Sequence, residues 1–312
     1  MPKLYFKIFV IFLTITFPYN ISCESHGKIK GGRHAKPGEF PFMGLLISPN
    51  NEGINMLCGC ALVTTTKIVT AGHCLMTWEN GRRILNEIEE GEVFFGTIHL
   101  KSREGQTSKL KSVKYPKEIR LQEADSVMHD YATAELVTPM VLTDTVKVMQ
   151  VYSKNKQEFK NGWDELVASK GTCLIIGWGA RDFRVENDSF VVTLGASPIL
   201  KTAVAQPWEE EKCEKYVGLW ELSMVPFGEV CLLGVTHGEI ILPGDSGSPL
   251  MCGDYVWGVC STMILDDTGT MPFQYLLHWH YLNEFLYPEG AIGSSIRPEI
   301  SIPLFFIILF LR

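Results

Sequence analysis

Three residues far apart in the chain carry side chains that could perform nucleophilic catalysis together. Ser246 stands in "GDSGSPL" (244–250), between two glycines and directly after an acid. A serine hydroxyl is a poor nucleophile near neutral pH. It needs a general base within hydrogen-bond reach, and that base needs an orienting group. His73 in "IVTAGHC" (68–74) follows an apolar run, and Asp130 in "HDYATAELV" (129–137) opens another, a setting that suits a carboxylate buried at the edge of a core. Each has a plainer reading alone. Gly, Asp and Ser form turns, a histidine after a strand packs in a core, and an aspartate caps a helix or turn. Together they run His, Asp, Ser, one of three unrelated chain orders in which a serine, a histidine and an acid make a catalytic triad.

The elements that must hold these groups read as strands. Apolar runs are short and broken by Gly, Pro and Asn, which is an all-β pattern. No repeat or low-complexity linker divides the chain. Net charge over the 312 residues is −7, without a basic stripe, so nucleic acid is not an expected partner. No cofactor and no metal is expected.

Five segments resemble, in family order, those of chymotrypsin-fold (trypsin-like) serine peptidases. "IKGGRHAKPGEFPF" (29–42) resembles a mature N-terminus, and "CGCALVTTTKIVTAGHC" (58–74) resembles the disulfide loop with the catalytic histidine. "DYATAEL" (130–136) sits where the catalytic aspartate is expected. "GTCLIIGWG" (171–179) resembles the start of a second barrel, and "PGDSGSPLMC" (243–252) a nucleophile loop. The resemblance implies an all-β fold of two packed six-stranded antiparallel barrels with a C-terminal helix. "YLLHWHYLNEFL" (275–286) would be that helix. It also implies roles. His73 takes the Ser246 proton while Asp130 holds its tautomer. The Gly244 and Ser246 N–H groups form the oxyanion hole, and Ser261 positions substrate. After a cut between Lys28 and Ile29, the new Ile29 α-amino group pairs with Asp245.

The chain has nine cysteines. The resemblance pairs Cys58 with Cys74, Cys173 with Cys252, and Cys213 with Cys231. A family bridge beside the specificity pocket is missing, as in granzymes and mast-cell chymases. Cys60 and Cys260 are left over, either paired across the barrel interface or as two buried thiols.

The ends suggest secretion. Residues 1–23 read as a signal peptide, with Lys3 and Lys7 before the apolar "IFVIFLTITF". Cys23 would leave with it. A short propeptide (24–28) and a peptidase domain (29–288) would follow. The tail (289–312) has "GSS", a short spacer and the apolar "ISIPLFFIILFLR". These describe a GPI-attachment signal; a short inserted anchor or a buried terminal helix are the other readings. "NDS" at Asn187 is a glycosylation sequon. The expected place is the secretory pathway, then the extracellular space or cell surface. Expected partners are protein substrates, an activating protease, serpin-type inhibitors and, through the tail, a membrane.

The specificity pocket departs most from the family. Ile240 takes the position at its base, where an acid would select Lys or Arg. Met263 and Phe273 stand where glycines admit a large side chain, and Thr262 replaces a cleft tryptophan. The stretch "YSKNKQEFKNGWDE" (152–165) reads as an exposed insertion. Two functions follow: an endopeptidase preferring small or medium apolar residues before the cut, or a proteolytically silent homologue that binds or regulates because its pocket is blocked.

Overall fold

The computed structural model describes residues 32–288, apart from 50–54, 80–81, 86–90, 103, 122–126, 187–188, 219–222, 237 and 264–271. The expected signal, propeptide, tail, Ile29 and Asn187 lie outside the described residues. Two closed barrels account for most of the rest.

The first barrel consists of β1 (Met43–Pro49), β2 (Asn55–Thr64), β3 (Lys67–Thr70), β4 (Glu92–Phe95), β5 (Gln106–Lys114) and β6 (Ala132–Leu136). The order is β6-β3-β2-β1-β4-β5, and β5 pairs with β6 to close it. Alternation along a strand sends every second side chain inward. In β4 these are Val93 and Phe95, in β5 Ser108 and Leu110. Leu46, Leu62 and Ile68 complete this core.

The second barrel consists of β7 (Cys173–Gly177), β8 (Lys201–Pro207), β9 (Glu229–Gly234), β10 (Pro249–Cys252), β11 (Tyr255–Met263) and β12 (Phe273–Leu277). The order is β8-β7-β10-β11-β12-β9, closed by β8 on β9; Arg33–His34 adds a short strand to β8. The three disulfides implied by the resemblance are present, Cys58–Cys74, Cys173–Cys252 and Cys213–Cys231. Among the described residues two more cysteines, Cys60 and Cys260, are buried and outside any disulfide. Cys60 packs in the first core and Cys260 in the second, so no bridge crosses the interface. Burial pushes both thiols up, which leaves them inert packing groups.

Two expectations need correction. Tyr275–Leu277 are strand, and the helix begins only at His278. All five residues of β12 are buried, and a continuous apolar run cannot be assigned by periodicity alone. The supposed exposed insertion holds helix α1 (Lys156–Ala168). Its N-cap Asn155 accepts from Gln157 N and Glu158 N, a cap worth about 1 kcal/mol. Phe159 and Trp163, four residues apart, are buried on one face against Trp257. Lys160 ties the outer face to Glu210 of α2 (Glu210–Val217). A mostly polar composition conceals these two anchors.

Glu229 at the start of β9 is buried, and its Oε2 accepts from Met224 N. Burial pushes its carboxyl from 4.5 up to about 7. A raised carboxylate contributes stability at pH below its unfolded value, and loses it as pH rises through the folded value. Glu229→Gln should therefore gain stability over the natural chain between about pH 4.5 and 7, reaching roughly 3 kcal/mol above that. Urea unfolding at pH 4 and pH 8 reads this directly; equal differences at both would refute it.

Candidate active site

His73 sits on a helical turn, Gly72–Leu75, that follows β3, and Asp130 immediately precedes β6. β3 and β6 are paired, Ala132 opposite Thr70, so the barrel register brings the two residues together. A Cβ on Gly72 would lie 3.3 Å from Asp130 Oδ1 and 3.2 Å from Tyr131 N; glycine there lets the turn approach. Asp130 is 3% exposed. It accepts from His73 N at 2.7 Å, from the His73 ring Nδ1 at 2.8 Å and from Ser261 Oγ at 2.7 Å. Burial pushes its carboxyl up, but the adjacent His73 and these hydrogen bonds outweigh it, holding the group below the usual carboxylate range. Asp130 is then an ionised acceptor. Nδ1 carries the proton, and Nε2 is left to accept one.

Ser261 reaches Asp130 from the other barrel. The β11–β12 register slips between Cys260 and Thr262, and such a bulge re-aims the intervening side chain.

The Gly244–Ser246 turn docks on the first barrel. Gly59 N donates to Ser246 O at 2.7 Å, and Thr70 Oγ1 donates to Gly59 O at 2.8 Å. Gly247 has φ +75° and lies so close that a Cβ would meet Thr70 Oγ1 at 2.1 Å. Gly244 has φ +102°, which a residue with a Cβ rarely adopts. Among the described residues, neither Gly244 N nor Ser246 N donates to another backbone group. Among the described residues the Ser246 Oγ makes no hydrogen bond.

Asp245 is 1% exposed, and accepts from Gly179 N at 2.7 Å and Leu242 N at 3.0 Å. Burial pushes its carboxyl up to about 7, against the pull of those two N–H groups and of Lys201. Gly177 and Gly179 cradle it: a Cβ on either would meet a carboxylate oxygen at 2.0 and 2.2 Å.

Ile240 is buried with Ala180 and Leu242, and Met263 and Phe183 pack on this cluster. Phe273 belongs to the larger core cluster. It is fully buried in the barrel core, its ring edge-on to Tyr275. It pairs with Met263 across β11–β12, and Met263 packs both on the core that holds Phe273 and on the Ile240 cluster. The Sγ atoms of Cys58 and Cys74 lie near the His73 ring, but their disulfide removes them as thiolate ligands.

Sequence reasoning missed the layer behind Asp130. Tyr131 stacks on Tyr281 at 4.1 Å, and its hydroxyl bonds His278 Nδ1 at 2.8 Å. His129, at φ +51°, bonds the Tyr281 hydroxyl through Nδ1. The aromatic residues of "HWHY" were the only available signal.

Two antiparallel barrels, with a histidine, a buried acid and a glycine-flanked serine at their junction, define a class of serine hydrolase scaffold. The family model named Trypsin matches residues 29–279. The chain is 27% identical to CLIP domain-containing serine protease B8 of Anopheles gambiae over 82% of its own length and 64% of that protein's. It is 26% identical to duodenase-1 of Bos taurus, covering 80% and 84%, and 25% identical to granzyme E of Mus musculus, covering 80% and 86%. Among solved structures, mouse neuropsin superposes with a TM-score of 0.59 at 24% identity, covering 80% of this chain and 95% of that one. The scabies mite inactivated protease paralogue S-D1 superposes at 0.61 and 20% identity, covering 81% and 93%. The chain belongs to the trypsin family of serine endopeptidases.

Proposed function

We propose that this chain is a secreted or surface-anchored serine endopeptidase using His73, Asp130 and Ser246. One observation carries the reading: Asp130 is held by His73 and Ser261 at the seam where the Ser246 turn docks on Gly59. Ser246 Oγ attacks the scissile carbonyl, His73 Nε2 takes its proton and returns it to the leaving amine. Gly244 N and Ser246 N receive the oxyanion, where losing one donor costs about 100- to 1000-fold. Cleavage between Lys28 and Ile29 by an activating protease frees the ammonium that pairs with buried Asp245. The chain enters the secretory pathway through residues 1–23, carries glycan at Asn187, and is retained by a lipid on the 289–312 tail. Serpin-type inhibitors fit such an enzyme. A fluorophosphonate, which needs only an activated serine, should label the cleaved chain at Ser246; an unlabelled, folded, cleaved chain would overturn the reading.

With Ile240 at the pocket base, a Lys or Arg side chain would lose hydration and gain no counter-ion. The preference falls on Ala, Val, Leu or Met before the cut. The packing of Met263 against the cluster that contains Ile240 favours the second reading, a silent homologue with a closed cleft. Met263→Gly separates the two. It should raise kcat/KM for substrates with Leu or Met before the cut by about tenfold or more. Phe273→Gly is no equivalent probe, because emptying that core position should cost about 3–5 kcal/mol. A peptide library profiles both. Labelling of Ser246 without cleavage of any peptide, reversed by Met263→Gly, would establish the closed cleft.

A further inference from the structure

A cavity of about 220 Å³ opens between α1, the start of α2, the start of β9 and the end of β12. None of His73, Asp130 and Ser246 lines it. Its walls carry three tryptophans: Trp163 of α1, Trp208 just before α2, and Trp279 of the last helix. An apolar cavity of about 150 Å³ takes up benzene, so this one has room for an aromatic ring with a short side chain.

Two polar groups in the wall lack the partner that burial calls for. The first is Glu229, only 9% exposed. Its Oε2 accepts from Met224 N. Among the described residues no hydrogen bond reaches its other oxygen, and no cation pairs with the carboxyl. The nearby cations are engaged elsewhere. Lys160 donates to Asp164 and Glu210, and Lys212 lies 3.6 Å from the centroid of the Trp208 ring. Asp164, Glu209 and Glu210 also line the cavity, so acids outnumber cations there. Burial, opposed only by the Met224 N–H, raises the Glu229 carboxyl. A cation at its free oxygen would supply the missing counter-charge.

The second group is the Trp279 indole N–H. Its Nε1 is shut off from solvent and has no hydrogen-bond partner among the described residues. It lies 3.1 Å from where a Gly228 Cβ would be, and Gly228 lines the cavity as well. A buried donor left unpaired is costly, and a ligand oxygen would satisfy it.

We propose that this cavity is a binding site for a small aromatic amine. The ring lies among the tryptophans, the ammonium pairs with the free Glu229 oxygen, and a hydroxyl oxygen on the ring accepts from the Trp279 N–H. Indole faces also attract a cation. An anion of the same shape meets carboxylates and is rejected. The site uses neither the triad nor the specificity pocket, so it stands apart from the peptidase reading.

The test titrates tyramine into the full natural chain at about pH 8, where Glu229 is ionised and the amine still protonated, and follows the heat by calorimetry. A Kd of about 1 mM or tighter is expected. Glu229→Gln keeps the shape and removes the charge, and should weaken binding about tenfold or more. Trp279→Phe keeps a ring and removes the N–H. It should weaken tyramine and leave phenethylamine, which has no hydroxyl, unchanged. A hydroxyphenylpropanoate, with the size of tyramine and the opposite charge, should not bind the natural chain. No heat from tyramine at about ten times the expected Kd overturns the proposal. So does equal affinity of the natural chain and Glu229→Gln for tyramine, or binding of the propanoate as tight as that of the amine. Equal weakening of tyramine and phenethylamine by Trp279→Phe overturns the place given to the hydroxyl.

Discussion

Ser246→Ala will abolish fluorophosphonate labelling and lower peptide turnover by on the order of 10⁶-fold, with no measurable change in thermal stability. The asymmetry comes from the site. The Ser246 Oγ makes no hydrogen bond among the described residues and is half-buried, so the fold loses almost nothing with it. The main-chain bond from Gly59 N to Ser246 O stays in place, so the turn keeps its dock. What disappears is the hydroxyl oxygen that, in the proposed triad, His73 activates. Labelling is scored by mass on the Ser246 peptide, and stability by calorimetry on the same samples. Undiminished labelling of the alanine variant would move the nucleophile to another serine.

The second large effect belongs to Asp130→Asn. The carboxylate accepts three hydrogen bonds, from His73 N, His73 Nδ1 and Ser261 Oγ. An amide of the same shape has one accepting oxygen and two N–H donors. If its oxygen keeps His73 N, its NH2 faces Nδ1, which must then accept. The ring proton moves to Nε2, the nitrogen that should receive the Ser246 proton. The expected loss in kcat is about 10⁴-fold, the size known for this change in a Ser-His-Asp peptidase. Nitrogen NMR of the labelled imidazole should show the tautomer exchanged. The pH response should change too. The natural carboxyl lies below its ordinary range, so its stabilising share is present above about pH 4 and lost as pH falls through the folded value. The asparagine variant should lack that acid limb. Retention of the Nδ1–H tautomer with full activity would refute the assigned role.

Much of the frame was legible because its signals are local. Glycines bracketing a serine, cysteines flanking a histidine and short apolar runs each report on a few neighbouring residues. The parts that escaped depend on contacts distant in sequence. The buried face of α1 exists only because Trp257 waits almost a hundred residues later to receive Phe159 and Trp163. The Tyr131–Tyr281 stack joins two residues with no common motif. Lys201 looks like an ordinary surface lysine in "ILKTAV", but it is buried where β8 pairs with Gly177.

The Tyr131–His278 contact has a consequence for how the molecule is made. Its partners are 147 residues apart, and the later one belongs to the last helix of the domain. At about 5–20 residues per second, a ribosome takes roughly 7–30 s to travel between them. The last strand of the first barrel, β6, ends at Leu136, early in that interval. During it, the aromatic side of β6 has nothing to stack against and Asp130 lacks its bond from Ser261. The first half of the chain therefore emerges with a greasy, charged seam open to solvent or to any chaperone present. If His73, Asp130 and Ser246 form the proposed site, it is assembled only when the closing helix arrives, and a nascent chain has no competent active site with which to digest its neighbours.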